Sequence, residues 1–202
     1  MKKIRTGAIC IWLIILSGII ISLFRQNEWL YFLPTPVPQN YKPVNTGTEI
    51  DISKSLPFKS GKPVFLHFFN PDCPCSRFNV PHFKLLVRKY GEEVNFAIVV
   101  RADKKYTVKQ IQDRFSLDLP VVFDNSLAVL CGVYSTPQAV ILDNNHQLFY
   151  RGNYNRSRYC TDEKSNYAEI ALDGLLKNNR NLIFSQFALQ AYGCKLPNCI
   201  KQ

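Results

Sequence analysis

What this chain has little of narrows it first. It carries no block of Lys and Arg and no stacking motif of a nucleic-acid binder, so its basic surplus reads as a solvated surface and no nucleic-acid partner is expected. Of 25 basic residues, Lys2, Lys3 and Arg5 precede an apolar run; the other 22 stand against 15 acidic ones, a surplus of 7 spread along the sequence. An anionic membrane surface or an acidic protein suits such a surplus better. No internal repeat or low-complexity tract is present. Seven cysteines in 202 residues are too few for a disulfide-dense miniature scaffold, so the fold needs its own core. A hydrophobic share of 47% with 13% aromatic residues supplies one and excludes a disordered chain.

Charge is also missing from Ala8 to Phe24, a run of about the minimum length that lets a helix cross a bilayer core. No small-x-small cleavage site follows, which favours an uncleaved signal anchor over a removed signal peptide. Three basic residues before the run and only Arg25 directly after it keep the N-terminus inside and export the rest. Cys10 falls within the run as a bystander. Trp29 to Phe32 suits the membrane boundary, and Pro34, Pro36, Pro38 and Pro43 suit a stiff spacer. The expected organisation is a cytoplasmic N-terminus at 1–7, an anchor at 8–24, a Pro-rich linker at 25–48, a globular domain at 49–178 and a helical extension with a cysteine-containing tail at 179–202.

Within the domain, Pro63 to Asn70 is nearly all apolar and aromatic, as in a central strand covered on both faces. Cys75 to Tyr90 has helical spacing through Phe78, Phe83, Leu86 and Val87, and Gly91 closes it. Val94 to Val100 reads as a strand, and Thr107 to Phe115 as a helix opened by a Thr cap. A short strand Pro120 to Asp124, a helix Asn125 to Cys131 and a strand Gln138 to Asp143 follow. Asp143 to His146 is turn chemistry leading into an antiparallel partner at Gln147 to Arg151. Helices are expected at Asn166 to Leu176 and Leu182 to Ala191. Alternation of strand and helix implies an α/β domain with parallel pairing and a sheet of four or five strands.

Asn70-Pro-Asp-Cys-Pro-Cys-Ser-Arg77 lies where the buried strand turns into a helix. The first amides of a helix are unpaired donors with partial positive charge, so a cysteine there is stabilised as the thiolate that attacks disulfides. Cys73 has that position. The segment resembles the active-site region of the thioredoxin-like superfamily, in particular membrane-anchored TlpA-type proteins and the peroxiredoxin-related (AhpC/TSA) redoxins. Pro81, eight residues after Cys73, matches the proline that kinks the active-site helix. Ser135-Thr136-Pro137 resembles the cis-proline loop that lies against the attacking cysteine, and Gly152 matches a glycine after the last strand. The resemblance covers roughly 62–176 and implies a thioredoxin-like fold, a thiol-disulfide oxidoreductase of the cell envelope without a cofactor, and disulfide-containing or thiol proteins as substrates. Cys73, Cys75, Thr136, Pro137 and His67 are then the candidate catalytic residues.

Two departures from the family pattern bear on the chemistry. Ser76 stands where the resolving cysteine is usual, with Cys75 one residue earlier. Residues two apart on a helix point to nearly opposite sides, so a Cys73 to Cys75 disulfide needs a distorted first turn. The resolving thiol is therefore open among Cys75, Cys131, Cys160 and an external donor. His67 occupies the place of a buried acid that moves protons, as a titrating group or as a hydrogen-bonded core histidine. His82 and His146 read as ordinary surface or helix residues.

Other readings remain. Two thiolates one residue apart suit Cu(I), as in a copper chaperone of the Sco type, with Cys73 and Cys75 as ligands and His146 the downstream histidine. Peroxide reduction is weaker: Asn70 replaces the peroxiredoxin threonine, and Arg77 and Arg151 fit the arginine role poorly. A redox-inactive module on the same fold is a third reading. Gly193 and Pro197 mark a turn that brings Cys194 to Cys199, and this pairing is expected, worth roughly 2 to 3 kcal/mol. The rival pairing joins Cys160 to Cys194 or Cys199.

Overall fold

A computed structural model of the chain describes residues 2–26, 33–157, 160–179 and 181–196. It falls into two compact units, Met1–Leu33 and Pro34–Gln202. Among the described residues of the first is the helix α1 (Lys2–Phe24). Its stretch Arg5–Phe24, with mean hydropathy 2.6, is long and apolar enough to cross a membrane.

The second unit is built on a five-stranded sheet. Its elements in chain order are β1 (Val64–Phe69), α2 (Pro74–Tyr90), β2 (Asn95–Val100), α3 (Val108–Phe115), β3 (Val121–Val122), α4 (Asn125–Leu130), β4 (Ser135–Thr136), β5 (Gln138–Leu142), β6 (Leu148–Gly152), α5 (Tyr167–Leu176), α6 (Gln186–Leu189) and β7 (Cys194–Lys195). The sheet order is β3-β2-β1-β5-β6. β1 runs parallel to β2 and β2 to β3, while β5 and β6 add in antiparallel fashion. This is the thioredoxin-like arrangement, with five strands where four or five were expected.

β1 is buried throughout and apolar except for His67, because both of its faces are covered. Phe65 and Phe69 point into one cluster with Phe83 and Leu86 of α2, Ile111 and Phe115 of α3 and Leu172 of α5. Val64, Leu66 and Phe68 point into a second, with Val99, Leu127 of α4 and Val140. Local chemistry sets the boundaries. Pro74 opens α2, where a missing N–H costs nothing. Thr107 and Gln110 form a capping box on α3. Asp143 Oδ1 accepts from the N–H groups of Asn145 and Gln147 in the β5–β6 turn.

Three expectations are corrected by long-range packing. The helix expected over 182–191 is only the single turn α6. Phe184 instead lies against the Tyr150 ring, with centroids 4.8 Å apart. The Ala188 carbonyl accepts the Asn153 N–H at 2.8 Å, so docking on β6 outweighs helix propensity. Gly152 permits that approach, since a Cβ there would come within 2.2 Å of the Ala188 oxygen. Residues 34–48, read as a spacer, lie on the domain: Thr35 N–H donates to the Ala191 carbonyl at 2.8 Å, and Tyr41 OH to the Gly132 carbonyl at 2.9 Å. His82, read as a surface or helix residue, is on α2 but buried. It lies edge-on to Tyr154, and burial lowers its pKa.

Candidate functional site

The site forms at the junction of β1 and α2. Asn70 Oδ1 accepts the Asp72 N–H at 2.9 Å, and the Asn70 carbonyl accepts the Cys73 N–H at 3.1 Å, which folds the strand end into a tight turn. Arg114 donates to the Pro71 carbonyl at 3.0 Å and Tyr106 to Asp72 at 2.7 Å, so α3 and the loop before it hold the turn from outside. Cys73 is the N-cap of α2, with φ −85° and ψ 122° and no side-chain cap bond. Its sulfur therefore sits at the positive end of the helix. Pro81 lies inside α2 and removes the bond its N–H would make to the preceding turn.

Against this turn lies the loop before β5. The Thr136–Pro137 peptide bond is cis, as the resemblance implied. Cys73 Sγ is 3.7 Å from the Thr136 carbonyl oxygen.

Cys73 is joined by a disulfide to Cys194, 121 residues away. This overturns the expected Cys194 to Cys199 pairing; Cys199 itself lies outside the described residues. The pairing follows from β7, which adds antiparallel to β4 with Thr136 opposite Cys194 and so presents the tail sulfur to Cys73. Leu196 holds the tail down, buried in the core cluster to which Val64, Leu66 and Phe68 of β1 belong. Such burial contributes about 1.5 to 3 kcal/mol.

Of the other described cysteines of this unit, Cys75 joins the disulfide in one cluster of sulfurs, and Cys131 and Cys160 are not part of it. Cys75, buried on α2, has its sulfur within 4.8 Å of both Cys73 and Cys194. Once reduced, these three sulfurs offer a donor set for a soft ion, and among the described residues no histidine joins them. Cys131 is in the core cluster that also takes Leu196, and burial pushes its thiol up to about 12. Burial raises the Cys160 thiol to about 12 as well, where it contacts Asn79 Oδ1 at 3.1 Å. Both remain protonated near neutrality, a poor state for resolving a disulfide.

His67 is fully buried on β1. Its Nδ1 is 2.6 Å from the Tyr154 hydroxyl and its ring stacks on Phe83 at 4.5 Å. Desolvation lowers its pKa to about 3, with His82 adding to the shift, so the ring is neutral at working pH. The sign of the stability effect follows. An unfolded histidine takes up a proton below about 6.5 whereas the folded one does not, so stability is complete above that pH and is lost as pH falls toward 3. Denaturant titrations should show a decline of up to about 1.4 kcal/mol per pH unit for this one proton. His67→Gln should flatten it, leaving the smaller slope that His82 contributes with the same sign.

Arg151 is committed elsewhere than Cys73, donating to the Val44 carbonyl at 2.9 Å and the Cys131 carbonyl at 3.2 Å. Arg77 is exposed on α2.

The site residues sequence reasoning missed are Cys194 as partner of Cys73, and Thr35, Ser135 and Gly193, which hold the tail. A family match takes in all of these residues except Thr35: the domain of unknown function DUF6436 matches residues 44–196. The chain belongs to that family. The thiol-disulfide oxidoreductase ResA of Halalkalibacterium halodurans is 31% identical to it over 91 residues. That match takes in 44% of this chain and 52% of the relative, so the chain spans about half that protein's length. Among solved structures, a hypothetical protein of Sinorhizobium meliloti 1021 superposes with a TM-score of 0.61 at 16% identity, over 77% of this chain and 95% of its own. An uncharacterized conserved protein of Geobacillus kaustophilus gives 0.58 at 20% identity, over 80% and 91%. At those identities the likeness concerns the fold alone. With its sheet order and cis-proline loop, the DUF6436 chain thus has a thioredoxin-like fold.

Proposed function

We propose that this chain is a thiol-disulfide oxidoreductase of the cell envelope, with α1 as a single-pass anchor whose N-terminus is inside. Cys73 is the attacking sulfur and Cys194 the sulfur that resolves. The reading is carried by one observation: a cysteine at the start of α2, beside the Thr136–Pro137 bond, is joined to a cysteine on a separate tail strand. The likeness to ResA supports the same chemistry.

In the reduced chain, the helix terminus favours the Cys73 thiolate. It attacks one sulfur of a protein disulfide, forming a bond to Cys73 and releasing the other sulfur as a thiolate. Cys194 then attacks Cys73, the Cys73–Cys194 bond forms and the substrate leaves as a dithiol. Two electrons pass from the chain to the substrate. An external dithiol restores the reduced chain, and the reverse sequence oxidises substrate thiols. Thr136 and Pro137 shape the groove, and substrates are disulfide-containing or thiol proteins of the envelope.

The test is a redox titration of the full-length chain in defined thiol-disulfide buffers, with free thiols trapped and located by mass spectrometry. Cys73 and Cys194 should change state together as one two-electron couple. A potential near about −270 mV indicates a reductant, and one near about −120 mV an oxidant. Cys194 found joined to Cys199 while Cys73 stays a thiol at every potential would remove this assignment.

A further inference from the structure

We propose that the tail 193–196 is a built-in occupant of the substrate groove, and that the groove selects extended protein segments in which glycine directly precedes the reacting cysteine. This rests on the exchange chemistry assigned above to Cys73.

β4 is two residues long, and β7 lies along it in antiparallel register, Ser135 opposite Lys195 and Thr136 opposite Cys194. The strand pairing and the disulfide are therefore one registration, because aligning a cysteine with Thr136 places its sulfur on Cys73. Addition of a strand to an exposed edge is a general way of binding extended peptides through the main chain. Here the edge is already taken by the protein's own chain.

The groove also carries side-chain selectivity. A Cβ on residue 193 would come within 2.2 Å of the Thr136 oxygen and 2.9 Å of its carbonyl carbon, and Gly193 has φ 149°. The residue before the cysteine must therefore be glycine. Around the backbone, Thr35 Oγ1 donates to the Gly193 carbonyl at 3.1 Å and Ser135 Oγ to the Cys194 carbonyl at 3.2 Å. The Leu196 N–H reaches the Tyr134 carbonyl at 3.4 Å, and its side chain enters the core two residues after the cysteine. The recognised element is glycine, cysteine, an exposed residue and then an apolar residue.

A substrate segment and the tail compete for one place. In the oxidised chain, a partner thiolate attacks Cys73, the partner–Cys73 bond forms, the Cys73–Cys194 bond breaks and Cys194 departs as a thiolate that takes its proton from water. The tail vacates β4 as the partner enters. Tethering gives the tail a high effective concentration, so return of Cys194 ejects the partner.

The test uses the reduced full-length chain carrying Cys194→Ser, or Cys194→Ala should the serine variant misfold. The probe is an end-blocked peptide of sequence 191–196, Ala-Tyr-Gly-Cys-Lys-Leu, its cysteine activated as a thiopyridyl disulfide. Attack by Cys73 joins the peptide to the protein and releases pyridinethione, which is followed by absorbance; mass spectrometry locates the adduct. The peptide with valine in place of glycine should react about tenfold or more slowly, because the clash falls within the groove. Equal rates for the two peptides at a reactive Cys73 would overturn the groove while leaving the exchange chemistry intact. A Cys73 inert to both peptides and to small thiopyridyl disulfides would overturn both.

Discussion

Cys73→Ser should abolish exchange with protein disulfides, because this position alone combines the end of α2 with the Thr136–Pro137 loop. Cys194→Ser should retain the first attack and accumulate the enzyme–substrate mixed disulfide, visible on non-reducing gels. Cys131→Ser and Cys160→Ser should leave turnover unchanged, since burial holds both thiols protonated. Cys75→Ser discriminates between the two possible resolving sulfurs. With Cys194 resolving, turnover persists in that variant; mixed disulfides trapped only there would transfer the role to Cys75, whose sulfur is within 4.8 Å of both partners. Full activity of Cys73→Ser would sink the mechanism.

Phe65→Ala should be the most damaging single truncation in the core. The side chain is fully buried on the central strand, with its ring 5.2 Å from Phe96, 5.9 Å from Phe83 and 6.0 Å from Tyr154. Removing it deletes apolar contacts and leaves a cavity bounded by the sheet and α2, which resist collapse. The expected loss is about 3 to 5 kcal/mol, a large part of the roughly 5 to 15 kcal/mol that holds a domain folded. Val129→Ala, at a position 74% exposed on α4, should change stability by less than about 0.5 kcal/mol. Paired denaturant titrations check both. A Phe65→Ala loss as small as that of Val129→Ala would mean that the aromatic cluster does not anchor β1.

The second effect reaches the site, because β1 ends at Phe69 and the turn that positions Cys73 begins at Asn70. Weakening the strand loosens the platform from which α2 starts. Stability and exchange rate should therefore fall together in Phe65→Ala, whereas Cys194→Ser should alter turnover with a far smaller effect on the core.

The sequence by itself determined those parts of the protein that depend on neighbours a few residues apart. The run from Pro63 to Asn70 is a strand because an apolar segment of that length is covered on both faces, and Thr107 begins a helix because its oxygen reaches an amide three residues on. Cys73 was legible as a candidate nucleophile for the same reason, since strand, turn and helix start lie within a dozen residues. Tertiary structure alone decided which sulfur meets it. Cys194 and Cys199 are five apart and a turn could join them, yet Cys194 is carried across 121 residues to Cys73 by a two-residue strand, a glycine that lets backbones touch and a leucine sunk in the core. The burial of His82 and the unwinding of 182–191 onto β6 have the same origin. Each is set by contacts between segments distant in the chain, and their free energy leaves no local periodicity in the sequence to read.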